Sequence, residues 1–460
     1  MKKIAVIVIL CSFCFVSSMF ANISLPSFFS SNMVLQQNAD VLIWGWAIPD
    51  EEIKIQIGWD DTVYVTKTLS DSTWQIQIQT PKAGGPYTIR FQGYNSLLLQ
   101  NILIGEVWIC AGGSNMEWSA KMGINNADRE IAAANYPEIR MFTVAKQASG
   151  VKQKNVQGRW NVCSPQIMAN YSAAAYFFAR ELQKELNVPI GIIQATWPES
   201  AAEVWTPYDA IFTNRKIADA SLKLKDNKTC TTIPGQLYNG MIAPLAPLKI
   251  KGFIWYQGEA NVVNARTYDL LMAALIEGWR DAWDEDLPFY FVQIAPYDKY
   301  EPETGVLLQN SQRKNIRVMN TAMVITTDIT GDVSNIHPPN KQDVGKRLAH
   351  LALEHTYAKT NFNVNPPVYR SKKVQGKKLI VYFDNAQGLH SKFKIVEGFE
   401  IAGNDGNFYA AQAKIVGTSV ELTSKQVPSP VHVRFAWSNT ARPLIFNGLD
   451  IPLSCFNTKE

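Results

Sequence analysis

Residues 108–118 read WICAGGSNMEW, an apolar run that ends on Gly112-Gly113 and presents Ser114 before a helix has room to start. A serine lifted out of a glycine turn at the end of a buried strand has the form of a nucleophile, because glycines let the backbone turn sharply and let a substrate come close. The same spacing also suits a plain helix start, since Ser114 followed by Glu117 matches a capping box. Both readings stand on this segment alone.

Three other segments carry chemistry-bearing side chains at the ends of apolar runs. QATWPESAAEVW (194–205) places Glu199 in a loop, and FIWYQGEAN (253–261) crowds Gln257, Glu259 and Asn261 round Gly258. Amides at such a position either donate to a developing oxyanion or satisfy the backbone of their own loop. The fourth, GDVSNIHPPNKQDVGKRLAHL (331–351), holds His337 just ahead of a proline-started helix. The chain has five histidines: His390 and His432 fall in a C-terminal strand-rich region, and His350 and His355 lie on the helix itself. His337 is therefore the histidine placed in a loop after a central strand, where it is either a structural imidazole or a general base once paired with a nucleophile.

The elements that must position these residues fall into blocks. From 22 to 104 short alternating segments such as IKIQIGW, TVYVTKTL and YTIRFQGY, broken by Gly, Pro, Asn and Asp, predict an antiparallel β-sandwich. From 105 to 358 apolar runs (EVWIC, IGIIQAT, GFIWYQG, FYFVQIAP, AMVITTD) alternate with helical stretches (SAAAYFFARELQKEL, YDLLMAALIEGWRDAWD, KQDVGKRLAHLALEHTY). Strands spaced by amphipathic helices predict an α/β domain whose mostly parallel sheet is covered on both faces, with its chemistry at the C-terminal strand ends. From 359 to 460 helices disappear and a second antiparallel β-domain is expected. Aromatics near the strand ends, Trp118, Trp197, Trp205, Trp255 and Tyr256, are positioned either to stack on a sugar ring or to pack the core.

Residues 1–21 pair Lys2 and Lys3 with an acid-free apolar stretch and small residues at Ser17, Ser18 and Ala21, the pattern of a cleaved signal peptide. The expected location is secreted or periplasmic, with no membrane attachment after cleavage. Without Lys2 and Lys3 the formal charge falls from +4 to +2, so nothing in the charge favours nucleic acid. Cys110, Cys163, Cys230 and Cys455 remain; they show no metal-ligand spacing and allow three disulfide pairings, with buried free thiols as the plainer expectation.

In order along the chain, LPSFFSSNMVLQQNADVLIWGWA, GEVWICAGGSNMEW, VPIGIIQATWPESAAEVWTP, LYNGMIAPLAPLKIKGFIWYQGEAN, NIHPPNKQDVGKRLA and VRFAWSNTARPLIFNGLDIPLS resemble the sialate O-acetylesterase family of SGNH-type (GDSL-like) hydrolases. The resemblance implies an SGNH-like three-layer αβα domain flanked by N- and C-terminal antiparallel β-domains. It implies a serine esterase that removes acetyl groups from O-acetylated sugars, typically sialic acid, without metal or organic cofactor. Ser114 matches the family nucleophile and His337 its base. Gly113, Asn115 and Glu199, with Gln257, Glu259 and Asn261, fall on the oxyanion and substrate side.

Three positions depart from the family pattern. Gly113 stands where a glutamine is usual, and Trp197-Pro198-Glu199-Ser200 stands where Trp-Gly-Gly-Thr is usual. Pro198 has no N–H to give an oxyanion, whereas Glu199 keeps a backbone donor and adds a carboxylate. Asn335 occupies the place of the usual aspartate behind the histidine, leaving Asp332 or Asp328 as a substitute acid. Two further functions are consistent with the same residues: an acetyl xylan or other glycan acetylesterase, and a catalytically weakened homologue that binds glycans.

Overall fold

The computed structural model describes residues 22–225, 227–362, 364–442 and 445–459. The expected signal peptide, residues 1–21, lies outside the described residues. Strands β1 (Val34–Gln36), β2 (Asp40–Trp46), β3 (Glu52–Ile57), β4 (Val63–Lys67), β5 (Thr73–Gln79), β6 (Gly84–Gln92) and β7 (Ser96–Gly112) account for the N-terminal region. β2 pairs with β5, β3 with β4 and β6, and β6 with β7, all antiparallel, while β1 lies parallel to β7. Every second residue of β2 and β3 is buried, as a sheet wetted on one face requires.

β7 changes character along its length. Ser96–Asn101 alternates, but from Ile102 to Gly112 every residue is buried. The first half belongs to the N-terminal sheet; the second is the middle strand of the central sheet. The expected domain boundary at 104/105 therefore falls inside one continuous strand, and the two regions share a backbone ladder there.

β8 (Tyr136–Thr143), β9 (Trp160–Cys163), β10 (Ile190–Thr196), β11 (Gly252–Tyr256), β12 (Phe289–Val292) and β13 (Thr321–Val324) complete the central sheet in the order β13-β12-β11-β7-β10-β8-β9. All these neighbours are parallel except β8 and β9. Short α1 (Ser114–Glu117) follows β7. The longer helices α2 (Ala173–Leu186), α3 (Tyr268–Trp283), α4 (Thr304–Lys314) and α5 (Lys341–His355) cover the sheet. Trp108 and Cys110 pack into one core with α2 and α5, and Val107, Ile109 and Ala111 into the other with α3 and Leu308 of α4. This is the three-layer αβα arrangement, and strand alternation sorts the two cores.

β8 and α4 carry no clear pattern in the sequence. β8 contains the buried Arg140, whose guanidinium donates to the carbonyls of Pro137, Asn32 and Asn101. α4 buries Gln309, Asn310, Ser311, Gln312 and Arg313, so apolar periodicity does not mark it.

After α5 the chain forms antiparallel sheets, one of Val368–Gln375, Lys378–Asp384, Ser419–Thr423 and Gln412–Val416. Their core takes in Val306 of α4, and Ser454 accepts from Gln293 beyond β12, so this region is docked on the central domain. Cys110, Cys163, Cys230 and Cys455 are free and buried. Among the described residues no helix is long and apolar enough to cross a membrane.

The register levels the strand ends: Gly112 pairs with Thr196 of β10 on one side and Tyr256 of β11 on the other. The chain passes from β10 across β7 to β11, so the loops after these three strands open side by side where the strand order reverses, the place where such sheets hold ligands.

Candidate active site

Gly112 has φ of 141°, and a Cβ there would lie 2.3 Å from the carbonyl oxygen of Tyr256. Only glycine suits this position. Its neighbours hold the turn in place: Gly113 N–H donates to the Tyr256 carbonyl, and Trp197 N–H donates to the Gly112 carbonyl. Gly113 is less constrained, since a Cβ there would meet only Cγ of Gln257 at 3.6 Å. The missing amide side chain at 113 thus leaves the turn intact.

Ser114 is the first helical residue of α1. Gly113 is the cap, with its carbonyl accepting from the N–H groups of Met116 and Glu117. The capping-box alternative does not apply, because the Ser114 side chain caps nothing. Glu117 instead accepts from Lys146 Nζ (2.9 Å) and Thr196 Oγ1 (3.1 Å). Ser114 Oγ accepts the backbone N–H of Glu199 at 3.2 Å. Pro198 therefore does not deprive the loop of its donor, because position 199 carries it. Among the described residues the Ser114 N–H has no acceptor, and the Glu199 N–H is directed at Ser114 Oγ, so both amides border the Ser114 hydroxyl.

Glu199 takes the left-handed conformation, φ 58°, where glycine is at ease. Its carboxylate is turned to Thr229 Oγ1 at 2.7 Å, and its carbonyl accepts from Asn227. The loop is held further by Trp197 Nε1 on the Thr229 carbonyl (2.6 Å).

The side chains of Gln257 and Asn261 do not face Ser114. Gln257 Nε2 donates to the Ser200 carbonyl and to Asn261 Oδ1, and its Oε1 accepts from Tyr268. Asn261 donates to the buried Glu203 and accepts from Ala202 N–H. Both amides are fully committed to bracing the Trp197–Ser200 loop, the second of the two roles open to them in the sequence. Burial raises the Glu203 pKa against the hydrogen bonds of Asn261 and Asn264. Gln312 of α4, which the sequence did not single out, holds the loop after β11 by donating to the Gln257 carbonyl (3.1 Å).

His337 lies half-buried with its ring stacked on Trp118, centroids 4.2 Å apart and planes at 18°. Burial, with the nearby charge of Lys341, brings its pKa down to about 4, while Glu199 pulls the other way. The ring is thus unprotonated at neutral pH and able to accept a proton. Among the described residues neither ring nitrogen is hydrogen-bonded, to Ser114 Oγ or to any acid.

None of the three positions weighed for an orienting acid bonds the ring. Asn335 Oδ1 accepts the backbone N–H of His337 (2.9 Å) and so shapes the loop. Asp328 is gripped by both guanidinium nitrogens of Arg347 (2.8 and 2.6 Å). Asp332 is exposed and closes a turn on Ser334. Of the aromatics, Trp205, Trp255 and Tyr256 are buried core, whereas Trp118 and Trp197 reach the rim. Asn115 and Glu259 meet beside the Ser114 turn, where Asn115 Nδ2 donates to Glu259 Oε1 at 2.6 Å. Lys341 joins them there, a residue that sequence spacing did not mark.

The arrangement suits acyl transfer: a hydroxyl on a rigid turn, two backbone donors, and an unprotonated imidazole at the same strand ends. Residues 104–354 match the family model described as carbohydrate esterase, sialic acid-specific acetylesterase. The chain is 26% identical over 415 residues to the sialate O-acetylesterase of Homo sapiens, covering 82% of this chain and 79% of that one. With the rat (Rattus norvegicus) enzyme of the same name the identity is 25% over 450 residues, covering 82% and 81%. The crystal structure of a carbohydrate acetylesterase from Xanthomonas citri superposes with a TM-score of 0.87 at 35% identity, covering 95% of this chain and 99% of that one.

Proposed function

The chain belongs to the sialic acid-specific acetylesterase family of carbohydrate esterases, and from that premise we propose that it is an exported serine esterase that removes O-acetyl groups from sugars. The observation that carries this is the placing of Ser114, on a glycine-locked turn with the Glu199 N–H on its Oγ and His337 at the neighbouring loop.

In the reaction Ser114 Oγ attacks the acetyl carbonyl as His337 takes its proton. The carbonyl oxygen, now negative, is held by the N–H groups of Ser114 and Glu199. His337 returns the proton to the departing sugar hydroxyl, leaving an acetyl-enzyme. It then activates water, which releases acetate and regenerates Ser114. Export follows the signal-like residues 1–21.

O-acetylated sialic acid is the first substrate on the family reading. A neutral acetylated sugar such as acetylated xylan is the second, and Glu199 favours it, because an exposed carboxylate at the rim repels the carboxylate of sialic acid. A glycan-binding protein without turnover draws support from the absence of a hydrogen bond between Ser114 and His337.

Acetate release from O-acetylated sialic acid, acetylated xylan and an aryl acetate, followed for wild type and Ser114→Ala, tests the proposal. Wild type is expected to act on at least one sugar ester and Ser114→Ala on none. Equal background from both proteins on all three esters leaves glycan binding alone.

A further inference from the structure

Beside the Ser114 turn lies a buried polar cluster that acyl transfer itself does not use. Asn115, next to Ser114 and 1% exposed, commits its whole carboxamide. Its Nδ2 donates to Glu259 Oε1 (2.6 Å) and to the Ile336 carbonyl (3.0 Å), and its Oδ1 accepts from Lys341 Nζ in a short hydrogen bond. Lys341 is also 1% exposed, and its ammonium sits 5.3 Å from the centroid of the Tyr256 ring. Taking an ammonium out of water is costly unless it is hydrogen-bonded and paired, as Lys341 is by Asn115 and the facing Glu259. An apolar side chain would fill the same space more cheaply. Ile336 immediately precedes His337, and Lys341 opens α5 four residues after it. Asn115 therefore ties the Ser114 turn to the His337 loop on both sides of the imidazole.

We propose that Lys341 is a positioning residue of the esterase: through Asn115 it clamps the Ser114 turn to the His337 loop, and its charge, facing Glu259, sets the field in which the imidazole works. The inference rests on Ser114 and His337 being the reacting pair.

The charges around the clamp fix what its loss does. The His337 ring faces Lys341 from α5, Glu199 from the loop after β10, and the indole of Trp118. Lys341 faces Asn115 from α1, Tyr256 from β11 and Glu259 from the loop after β11. Burial, with Glu259 acting alongside it, raises the pKa of Tyr256, Tyr268 and Tyr300, so these phenols stay neutral. The pKa of Glu259 itself is raised by burial against the Asn115 hydrogen bond and the Lys341 charge. Burial brings the Lys341 pKa down to about 7 against the pull of Glu259, so it carries charge below neutrality. That charge opposes protonation of His337, and removing it raises the pKa of the imidazole.

Two variants separate the clamp from the charge: Lys341→Gln keeps a donor for Asn115 without charge, and Lys341→Met keeps shape without either. Both are compared with wild type and Ser114→Ala on an aryl acetate, as kcat and KM across pH, with a melting temperature for each protein. Lys341→Met is expected to lower kcat by about 10- to 100-fold with KM little changed, the loss that misplaced reacting groups bring. Lys341→Gln is expected to recover most of kcat above pH 7 while its acid limb moves to higher pH than that of wild type.

The inference is overturned if folded Lys341→Met and Lys341→Gln match wild type in kcat and acid limb. It is also overturned if both lose kcat equally with the limb unmoved, or if neither folds, since Lys341 then serves stability alone. Should only Lys341→Met fail to fold, the limb of Lys341→Gln decides. Full activity in Ser114→Ala would instead overturn the assignment of the reacting pair.

Discussion

The backbone N–H of Glu199 donates to Ser114 Oγ at 3.2 Å, joining residues 85 apart in the chain. The donor belongs to the backbone, so the side chain at 199 is free to change. Glu199→Gly is expected to keep kcat on an aryl acetate within about tenfold, against the 10²- to 10³-fold loss that removing an oxyanion donor brings. The left-handed φ relaxes by about 1 kcal/mol, partly offset by the lost hydrogen bond to Thr229. Because the Glu199 charge raises the His337 pKa, the acid limb of the glycine variant moves to lower pH. A kcat loss beyond a hundredfold would show that the carboxylate itself takes part.

The pH profile follows from the buried imidazole. With its pKa lowered to about 4, His337 is a free base through the neutral range, and kcat/KM is expected to fall only as pH approaches 4. Trp118→Ala lets water reach the ring, so its pKa rises towards 6.5 and the acid limb follows. A wild-type limb already near 6.5 on an aryl acetate would contradict the burial argument.

Asp328 and Asp332 have different work to do. Asp328→Asn loses charge-assisted hydrogen bonds from Arg347 and is expected to cost about 1.5–3 kcal/mol of stability, seen as a lower denaturation midpoint. The folded fraction keeps its kcat. Asp332→Asn, at an exposed turn, changes neither. A kcat loss in either variant, at unchanged stability, would make that carboxylate the acid behind His337.

The two glycines before Ser114 are not equivalent. Gly112→Ala sets a Cβ 2.3 Å from the Tyr256 carbonyl oxygen at a φ of 141° and is expected to cost at least about 3 kcal/mol. Gly113→Ala adds a Cβ in ordinary contact with Gln257 Cγ at 3.6 Å and stays within about 1 kcal/mol of wild type with kcat retained. Thermal melts of the pair check the contrast, and equal melts would remove the steric argument.

Much of the site is legible in the sequence because its signals are local. Gly112-Gly113-Ser114 after an apolar run, the TWPES loop after IGIIQA, and His337 ahead of its helix each lie within a few residues of a strand or helix end. The long helices follow from apolar spacing within one segment: α2, α3 and α5 lie at Ala173–Leu186, Tyr268–Trp283 and Lys341–His355. β8 and α4 escape that reading because Arg140 and the amides of α4 find their partners in other parts of the chain.

What the sequence by itself determined is the turn that presents Ser114 and the strand ends that carry its neighbours, since backbone conformation and side-chain alternation are decided within a few residues. Only the tertiary structure decided which way the polar groups face. Gln257 and Asn261 turn inward to brace a loop, Glu199 offers its backbone to Ser114, and Lys341 meets Asn115 across 226 residues. A hydrogen bond depends on distance and direction between two atoms, and only the register of β7 with β10 and β11 brings those atoms together.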